Sequence, residues 1–290
     1  MVKKISQLYL EIRQALLAQE DIQSAGFLAK NLICFVTGKT PERMLADYEH
    51  YVSDEQYRQA EEYTARILSG EPLAYILGQW DFYGLNLQVN SNVLIPRDDT
   101  CAVTELAIKY AKELPDTPRI LDLCTGSGCI GLAVAKHIPN ARITLADLSK
   151  EALVIARKNV TANGLLSRVS CVTADALTGP DKFLGKFDVI VSNPPYITAQ
   201  EMEELPHSVK DFEPHMALYG GVDGLDFYRG IADKYRDALK PGGYLCFEFG
   251  MGQGDAVCQI LTMNGYTILE RTKDYNKIER AVIAQWQEGR

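Results

Sequence analysis

The chain has 290 residues, which is enough for one large domain or two, with a substantial buried core. Its composition of 47% hydrophobic and 23% charged residues argues against disorder and against a fibrous repeat. The formal net charge of −8 provides no overall basic field for a phosphate backbone, so direct nucleic-acid binding is disfavoured, although a local basic groove could still exist. We expect two unequal domains.

The seven cysteines are spread along the chain, with no CxxC pair and no Cys/His cluster of zinc spacing. We interpret them as reduced core residues and expect no metal site. Polar residues interrupt the N-terminal stretch in which a signal peptide would need an apolar run, and no membrane-length apolar run follows. The sequence therefore predicts a cytoplasmic protein that has no membrane partner.

Residues 1–80 have the apolar spacing of a small helical bundle. The residues expected on its first two buried helix faces are Ile5, Leu8, Ile12 and Leu16, then Ala25, Leu28, Leu32 and Phe35. Gly38 is placed to end the second helix, Thr40-Pro41 to begin a third, and residues 53–56 to form a capping box for a fourth. We find no catalytic motif here and interpret the segment as a domain that binds a substrate protein; a bundle that only stabilises the fold is the alternative.

Residues 81–98 suggest a β-hairpin linker, and residues 99–290 alternate between helix and strand patterns. Strands are predicted at 119–123, 142–146, 169–173, 187–192, 244–249, 266–269 and 281–285, an irregular segment at 197–225, and a helix at 226–239. The βαβαβ order predicts an α/β fold with a parallel sheet. The last two strands have no helix between them, so they must pair as neighbours or lie antiparallel.

A glycine-rich turn follows the first predicted strand of this sheet and leads into a helix. Small residues there let the backbone approach a ligand, and the helix start offers free N–H donors. The candidate cofactor-binding residues are Cys124, Thr125, Gly126, Ser127 and Gly128 in the turn, and Asp147, Asp175, Ala176 and Asn193 at the next strand ends. Asp147 is placed to bind ribose hydroxyls. The turn alone does not distinguish a nicotinamide cofactor from S-adenosylmethionine.

The tetrapeptide Asn193-Pro194-Pro195-Tyr196 closes the fourth predicted strand. A nitrogen conjugated to a π-system is a poor nucleophile, so it needs acceptors that hold its N–H bonds while its lone pair turns toward a methyl group. The Asn193 side-chain oxygen and the Pro194 carbonyl can be these acceptors, and Tyr196 can stack on the planar target. In this position the motif predicts nitrogen methylation, whereas in isolation it would more often only end a strand.

The sequence resembles the peptide chain release factor glutamine N5-methyltransferases, the HemK/PrmC family, over nearly its whole length. The segments that carry the resemblance are residues 71–78, 82–85, 93–97, 124–128, 193–196, 213–214 and 220–226. The resemblance implies a Rossmann-like, seven-stranded methyltransferase domain with one antiparallel strand, preceded by a helical domain that helps recognise the release factor. It also implies that S-adenosylmethionine is the cofactor and S-adenosylhomocysteine the product.

The acceptor implied by the resemblance is the glutamine in the Gly-Gly-Gln motif of class I release factors, a step connected with translation termination. Carried over by position, residues 124–128, Asp147, Ala176 and Asn193 would contact the cofactor, and residues 193–196 the glutamine. Three departures from the family pattern stand out: Cys124 where glycine is usual, residues 98–101 where the family has Pro-Glu/Asp-Thr-Glu, and Ala176 where an aromatic residue is frequent. We expect a monomer.

Arg97, Glu213 and Glu248 adjoin the family-like segments, and we expect structural roles for them, such as a buried Arg–carboxylate pair, rather than catalysis. Three other functions stay open at this point. The acceptor could be a glutamine of a ribosomal protein, or an adenine or cytosine of a nucleic acid that uses the same two acceptors. A binding protein without catalysis is the third alternative, although it leaves Asn193 and Tyr196 unexplained.

Overall fold

The computed structural model describes residues 3–114 and 116–287. The described chain forms two compact units: residues up to Gly78 together with His207–Phe212 make the first, and the rest makes the second. None of the described helices is long and apolar enough to cross a membrane.

The α-helices of the described residues are α1 (Ile5–Leu16), α2 (Ile22–Thr37), α3 (Pro41–Ala46), α4 (Asp54–Leu68), α5 (Leu73–Leu77), α6 (Cys101–Lys112), α7 (Cys129–His137), α8 (Lys150–Ala162), α9 (Ala199–Glu204), α10 (His207–Lys210), α11 (Asp226–Lys234) and α12 (Gly254–Met263). The strands are β1 (Gln79–Phe82), β2 (Leu85–Gln88), β3 (Arg119–Leu123), β4 (Arg142–Asp147), β5 (Val169–Thr173), β6 (Phe187–Ser192), β7 (Leu239–Glu248), β8 (Tyr266–Lys273) and β9 (Glu279–Trp286).

The helix ends of the first unit are set by the residues that the sequence indicates. Gly38 adopts the left-handed conformation that ends α2, with φ of 65°. The Thr40 side chain caps α3, whose first turn begins with Pro41, and Ser53 forms a capping box with Gln56 at α4. These capping predictions are confirmed.

The predicted face of α1 is confirmed, because Ile5, Leu8, Ile12 and Leu16 are all buried. The face predicted for α2 is partly wrong: Phe35 is 39% exposed, and the buried residues are Ala25, Ala29, Leu32, Ile33 and Val36. Both α1 and α4 pack on α2, so the buried stripe is broad and takes in Ile33 and Val36, while Phe35 lies at its edge against Tyr63.

The second unit is built on a seven-stranded sheet of order β5-β4-β3-β6-β7-β9-β8. Only β9 runs against its neighbours, because it pairs antiparallel with both β7 and β8 while the other pairs are parallel. Helices α6, α7 and α8 cover one face of the sheet, and α11 and α12 cover the other. The predicted Rossmann-like α/β fold is therefore confirmed, including its single antiparallel strand.

Several predictions in the second unit are wrong in detail. Strand β8 continues to Lys273 instead of ending at residue 269, and β9 spans Glu279–Trp286 instead of 281–285. The segment predicted to be irregular contains α9, α10 and a short 3-10 helix, His215–Ala217. The helix predicted to reach Leu239 ends at Lys234, and β7 begins at Leu239 instead of Tyr244. Residues 241–243, Pro-Gly-Gly, are typical of a loop, but Leu239 pairs with Phe187 and Tyr244 with Val189, so a register shift between the two pairs accommodates the extra residues of β7.

Residues 79–88 form an antiparallel hairpin, in which Phe82 pairs with Leu85. Its turn residues Tyr83 and Gly84 both have positive φ, 48° and 73°, as a two-residue turn of this kind requires. Phe82, Leu85 and Leu87 belong to the core on the α6–α8 side of the sheet. The hairpin thus packs as part of the second unit.

Candidate active site

A cavity opens at the edge of the sheet where β3, β4, β5 and β6 end, with an empty volume of about 910 Å³ that includes part of the open solvent. Parallel strands place their carboxyl ends at one edge, so this is the expected position of a ligand. The predicted site residues on its wall are Cys124, Thr125, Gly126, Ser127, Asp147, Asp175, Ala176, Asn193 and Pro195. Gly128, Pro194 and Tyr196 lie beside these residues in the chain but are not among its lining residues.

Other residues of the cavity wall were not predicted as cofactor-binding or catalytic residues. They are mostly apolar and include Val93, Leu94, Pro96, Leu148, Met216 and Phe227. Phe227 lines the cavity together with Ala176, so an aromatic side chain is present although the position of Ala176 itself lacks one. No sequence signal identified Phe227, because it comes from α11, far from the glycine-rich turn in the chain.

The glycine-rich turn is held from beneath by Asp122, which is completely buried at the end of β3. Its Oδ2 accepts hydrogen bonds from the Thr125 hydroxyl, at 2.6 Å, and from the Gly131 N–H, at 2.9 Å. A Cβ atom on Gly131 would lie 2.3 Å from the Leu145 side chain, so only glycine allows this approach. Burial raises the pKa of the Asp122 carboxyl to about 7, against the lowering effect of both donors.

Asp147 ends β4 and closes the same turn from the other side. Its Oδ2 accepts from the Gly126 N–H at 2.8 Å, and its Oδ1 accepts from the Ser149 N–H at 2.9 Å. Burial raises the pKa of this carboxyl, and the backbone donors oppose the rise. Each carboxylate oxygen has a second lone pair, so Asp147 can still accept hydrogen bonds from a ligand in the cavity.

Cys124 occupies the first position of the turn with φ of 61°, in the left-handed region. Side chains with a Cβ atom are disfavoured there, whereas glycine adopts this conformation freely. Cys124 is therefore in a strained backbone conformation, at a position where the family usually has an unstrained glycine. Burial also raises the pKa of its thiol.

Asn159 of α8 connects the turn with the hairpin. Its Nδ2 donates to the carbonyl oxygens of Ser127, at 2.9 Å, and Gln88, at 3.0 Å, while its Oδ1 accepts from the Gln88 N–H at 2.7 Å. The side chain is completely buried. Asn159 was not predicted as a site residue, because a polar residue inside a helix pattern normally indicates an exposed position.

Asn193 is half-buried and lines the cavity just after β6. Its Nδ2 donates to the Thr100 hydroxyl at 3.3 Å. The amide NH2 only donates, so the Asn193 oxygen is the atom of this group that can accept a hydrogen bond from a molecule in the cavity. Pro194 and Pro195, which follow, are both buried and have no N–H to donate.

The backbone after the two prolines is held by a segment far along the chain. The Ile197 N–H donates to Leu218 O and the Gly220 N–H donates to Ile197 O, both at 2.9 Å. A Cβ on Gly220 would lie 2.6 Å from Pro195 O, and one on Gly224 would lie 2.3 Å from Tyr196 O. Gly220 and Gly224 thus let residues 218–224 lie directly against the loop of residues 193–196.

Tyr196 itself is half-buried beneath this segment. Its carbonyl oxygen accepts from Gln253 Nε2 at 3.0 Å, and its ring lies close enough to Gly250 that a Cβ there would be 3.0 Å away. Burial raises the pKa of the Tyr196 hydroxyl above its usual range. Gln253 was also missed by the sequence analysis.

The Arg–carboxylate pair suggested by the sequence is present between Arg97 and Glu213. The second oxygen of the buried Glu213 carboxyl accepts from the Ile95 N–H at 3.1 Å. The pair therefore fixes residues 95–97, which border the cavity through Pro96 and Arg97. Glu248 does not belong to this pair.

Glu248 is the last residue of β7 and only 2% exposed. Its Oε2 has no hydrogen-bond partner among the residues that the structure describes. Burial raises the pKa of the carboxyl to about 8, and the nearby polar side chains of Thr100 and Asn193 oppose this rise. Among residues 3–114 and 116–287, no group of three or more His, Cys, Asp or Glu residues is placed to hold a metal ion.

Two known domain families match the sequence, namely the PrmC N-terminal domain over residues 9–78 and the methyltransferase small domain over residues 102–209. A release factor glutamine methyltransferase of Clostridium acetobutylicum is 36% identical over 253 residues, which are 87% of this chain and 88% of that protein. Another protein of that name, from Geobacter sulfurreducens, is 35% identical over 275 residues and 94% of each chain.

The fold also matches solved structures. A methyltransferase from Pyrococcus furiosus superposes with a TM-score of 0.51 and 20% identity, over 78% of this chain and 99% of that one. This similarity concerns the fold alone.

Proposed function

We propose a reaction for this chain from one premise: it belongs to the family of release factor glutamine methyltransferases. It is a methyltransferase that uses S-adenosylmethionine as the methyl donor. The proposed reaction transfers the methyl group to the side-chain amide N5 of the glutamine in the Gly-Gly-Gln motif of a class I peptide chain release factor. The other product is S-adenosylhomocysteine.

The cavity residues fit this cofactor. The glycine-rich turn brings backbone close to the cavity, and Asp147 can accept hydrogen bonds from two neighbouring ribose hydroxyls. Phe227 and Ala176 offer apolar surface to a planar base, which compensates for the missing aromatic residue at position 176. When bound, S-adenosylmethionine supplies an electrophilic methyl group on a sulfonium, and the protein supplies the position of the acceptor.

The observation that carries the proposal is the Asn193 side chain on the cavity wall, with its nitrogen engaged by Thr100. The Asn193 oxygen and the Pro194 carbonyl would accept the two N–H bonds of the glutamine amide, so that its lone pair points at the methyl group. Tyr196 would stack on the amide plane, and its backbone is already held by Gln253. The rate enhancement then comes mainly from positioning, and no strong base is needed.

We assign recognition of the release factor to the helical unit, because it matches the PrmC N-terminal domain and its described residues carry no cluster suited to a metal. Exposed apolar side chains on it, Ile22 and Phe27 on α2 and Leu45 on α3, suit a protein partner. The reaction would take place in the cytoplasm, where release factors act.

A labelling experiment tests the proposal. The protein is incubated with S-adenosylmethionine carrying a labelled methyl group and with one of four acceptors: a release factor, the same factor with the motif glutamine changed to alanine, ribosomal proteins, or total nucleic acid. We expect label only on the unchanged release factor, at the glutamine. Label that survives the change to alanine would overturn the proposed acceptor, and label on nucleic acid or ribosomal protein would favour the alternatives.

A further inference from the structure

Arg97 brings a positive charge to the cavity wall. Among the described residues that line the cavity it is the only lysine or arginine, whereas the wall also carries the carboxyl groups of Asp147 and Asp175. The Arg97 side chain is 41% exposed, so a molecule that enters the cavity can reach it. A cation in this position favours a ligand with a negatively charged group.

Glu213 holds the Arg97 guanidinium from the protein side. The Glu213 carboxyl is 1% exposed, and its Oε1 accepts a hydrogen bond from Arg97 Nη2. Its Oε2 accepts from the Ile95 N–H at 3.1 Å, so both carboxyl oxygens are engaged. A guanidinium has five N–H donors, and among the described residues this pair engages one of them. The other donors of Arg97 can form the two parallel hydrogen bonds with which arginine binds a carboxylate.

The backbone of Arg97 is connected to the acceptor side of the cavity. Its carbonyl oxygen accepts from the Thr100 N–H at 3.1 Å, and the Thr100 hydroxyl accepts from Asn193 Nδ2 at 3.3 Å. S-adenosylmethionine has one anionic group, the carboxylate of its methionine part, which a short chain joins to the sulfonium. A sulfonium methyl group that faces Asn193 therefore brings this carboxylate to the same side of the cavity as Arg97.

We propose that Arg97 binds the carboxylate of the methionine part of S-adenosylmethionine, and that Glu213 positions the guanidinium for this contact. The inference rests on the part of the proposed function in which S-adenosylmethionine occupies the cavity, and it does not depend on the acceptor. The other charged side chains of the described wall, Asp147 and Asp175, are acids and offer a carboxylate no complementary charge. The ion pair thus has a role in binding the cofactor as well as in holding the wall.

A matched pair of ligands tests the role of Arg97. Decarboxylated S-adenosylmethionine lacks only the carboxylate and keeps the amine, the sulfonium and the nucleoside. The Kd of each ligand is measured by calorimetric titration of the full-length wild-type protein and of Arg97→Met, without release factor. Methionine keeps much of the apolar stem and removes the charge.

We expect Arg97→Met to raise the Kd for S-adenosylmethionine roughly 10-fold to 100-fold, the value of a charge-assisted contact. The Kd for the decarboxylated ligand should stay within about threefold of its wild-type value, because the contact that the variant loses is absent from this complex. An unchanged Kd for S-adenosylmethionine would overturn the proposal. An equal loss of affinity for both ligands would overturn it too, since the loss would not depend on the carboxylate.

A double variant controls for the partner that Arg97→Met leaves behind. Glu213 would then be a buried carboxylate without its cation, which can distort the wall for a reason unrelated to the ligand. The double variant Arg97→Met/Glu213→Gln removes that unpaired charge. We expect it to bind S-adenosylmethionine as weakly as Arg97→Met, within about threefold. Recovery of the wild-type Kd in the double variant would overturn the proposal, because the loss would then come from Glu213.

The single variant Glu213→Gln tests the positioning role. Glutamine keeps the shape of glutamate but holds the Arg97 guanidinium without a charge. We expect the Kd for S-adenosylmethionine to rise roughly threefold to tenfold and the Kd for the decarboxylated ligand to stay unchanged. Equal changes in both Kd values would show that Glu213 supports the wall but does not position Arg97.

Failure of this inference differs from failure of the proposed function. If the wild-type protein binds S-adenosylmethionine but labels no release factor, the proposed acceptor is wrong and the role of Arg97 can still be measured. If the wild-type protein labels the glutamine but Arg97→Met binds both ligands as the wild type does, the proposed function stands and only the role of Arg97 is wrong.

Discussion

The cavity has two sides that are built in different ways. The cofactor side is largely local: the turn of residues 124–128 is held by Asp122 just before it and by Asp147 at the end of the next strand. The acceptor side, residues 193–196, is held by Thr100 and Gln253 and by the glycines at residues 220–224, from widely separated parts of the chain. The cofactor side is therefore formed mainly by one sequence motif, whereas the acceptor side is assembled from segments far apart in the chain.

The largest effect should come from Asn193→Ala, which removes one acceptor and leaves the cofactor turn intact. We expect kcat on release factor to fall on the order of a thousandfold. Cofactor affinity should weaken by no more than about tenfold, the value of one hydrogen bond. Single-turnover labelling and calorimetric titration of the cofactor measure the two quantities. Normal turnover of this variant would show that the two-acceptor arrangement is wrong.

Gly224→Ala should separate the two sides without removing a polar group. Its Cβ would lie 2.3 Å from Tyr196 O, so the acceptor loop must shift, and a shift of about 1 Å costs on the order of a hundredfold in rate. Gly265→Ala is the matched control, because Gly265 also has positive φ, 85°, but open space around its Cβ. The positive φ should cost each variant roughly 1 kcal/mol of unfolding free energy, and Gly224→Ala should lose more because its Cβ also contacts Tyr196 O. If the control loses as much kcat as Gly224→Ala, the loss reflects stability and not the loop.

Asp122→Asn tests the cofactor side through the dependence of stability on pH. The folded-state pKa of about 7 lies above the ordinary value, so between roughly pH 4 and 7 the unfolded chain ionises while folded Asp122 keeps its proton. This group therefore contributes stability below that range, and the contribution is lost as pH rises to 7. Wild-type protein should lose about 1.4 kcal/mol more than Asp122→Asn between pH 6 and 8. Urea titrations at both pH values measure the difference, and parallel changes in the two proteins would contradict the shifted pKa.

The smallest effect is expected for Cys124→Gly. Glycine removes about 1 kcal/mol of strain from the left-handed backbone at φ of 61°. It also gives the unfolded chain more conformational entropy, which stabilises the unfolded state by a similar free energy. The melting temperature and the cofactor Kd should both stay close to wild type. Cys124→Val is the comparison variant, because a β-branched residue is poorly tolerated at this φ. It should lower the melting temperature and raise the Kd for the cofactor. Tight cofactor binding by the valine variant would show that the turn does not depend on this conformation.

Features that depend on local sequence could be predicted, whereas features that depend on contacts between distant segments could not. Strands β3, β5 and β6 were predicted with their observed ends, because short apolar runs bounded by turn residues are local signals. The residues brought to the cavity wall by the strand ends, such as Asp147 and Asn193, could also be named. By contrast, the start of β7 depends on a pairing of Leu239 with Phe187, which no local pattern contains.

The supporting residues were missed for a related reason. Asn159 and Gln253 are ordinary polar residues in their local context, and only the fold brings them against the turn and the acceptor loop. One helix could have been found: Thr198 and Glu201 form a capping box at the start of α9, and that spacing is visible in the sequence. The prolines before it and the many polar residues after it favoured a loop instead.

The first unit contains a segment from much later in the chain, and this affects the order in which the chain can fold during synthesis. That unit includes His207–Phe212, and Gly70 lies so close to His207 that a Cβ there would be 2.3 Å from the imidazole Nδ1. A nascent chain that has emerged only as far as Gly78 therefore lacks part of its own N-terminal unit. This unit can be completed only after residue 212 of the 290 has been translated, although domains commonly fold from the N-terminus as they emerge.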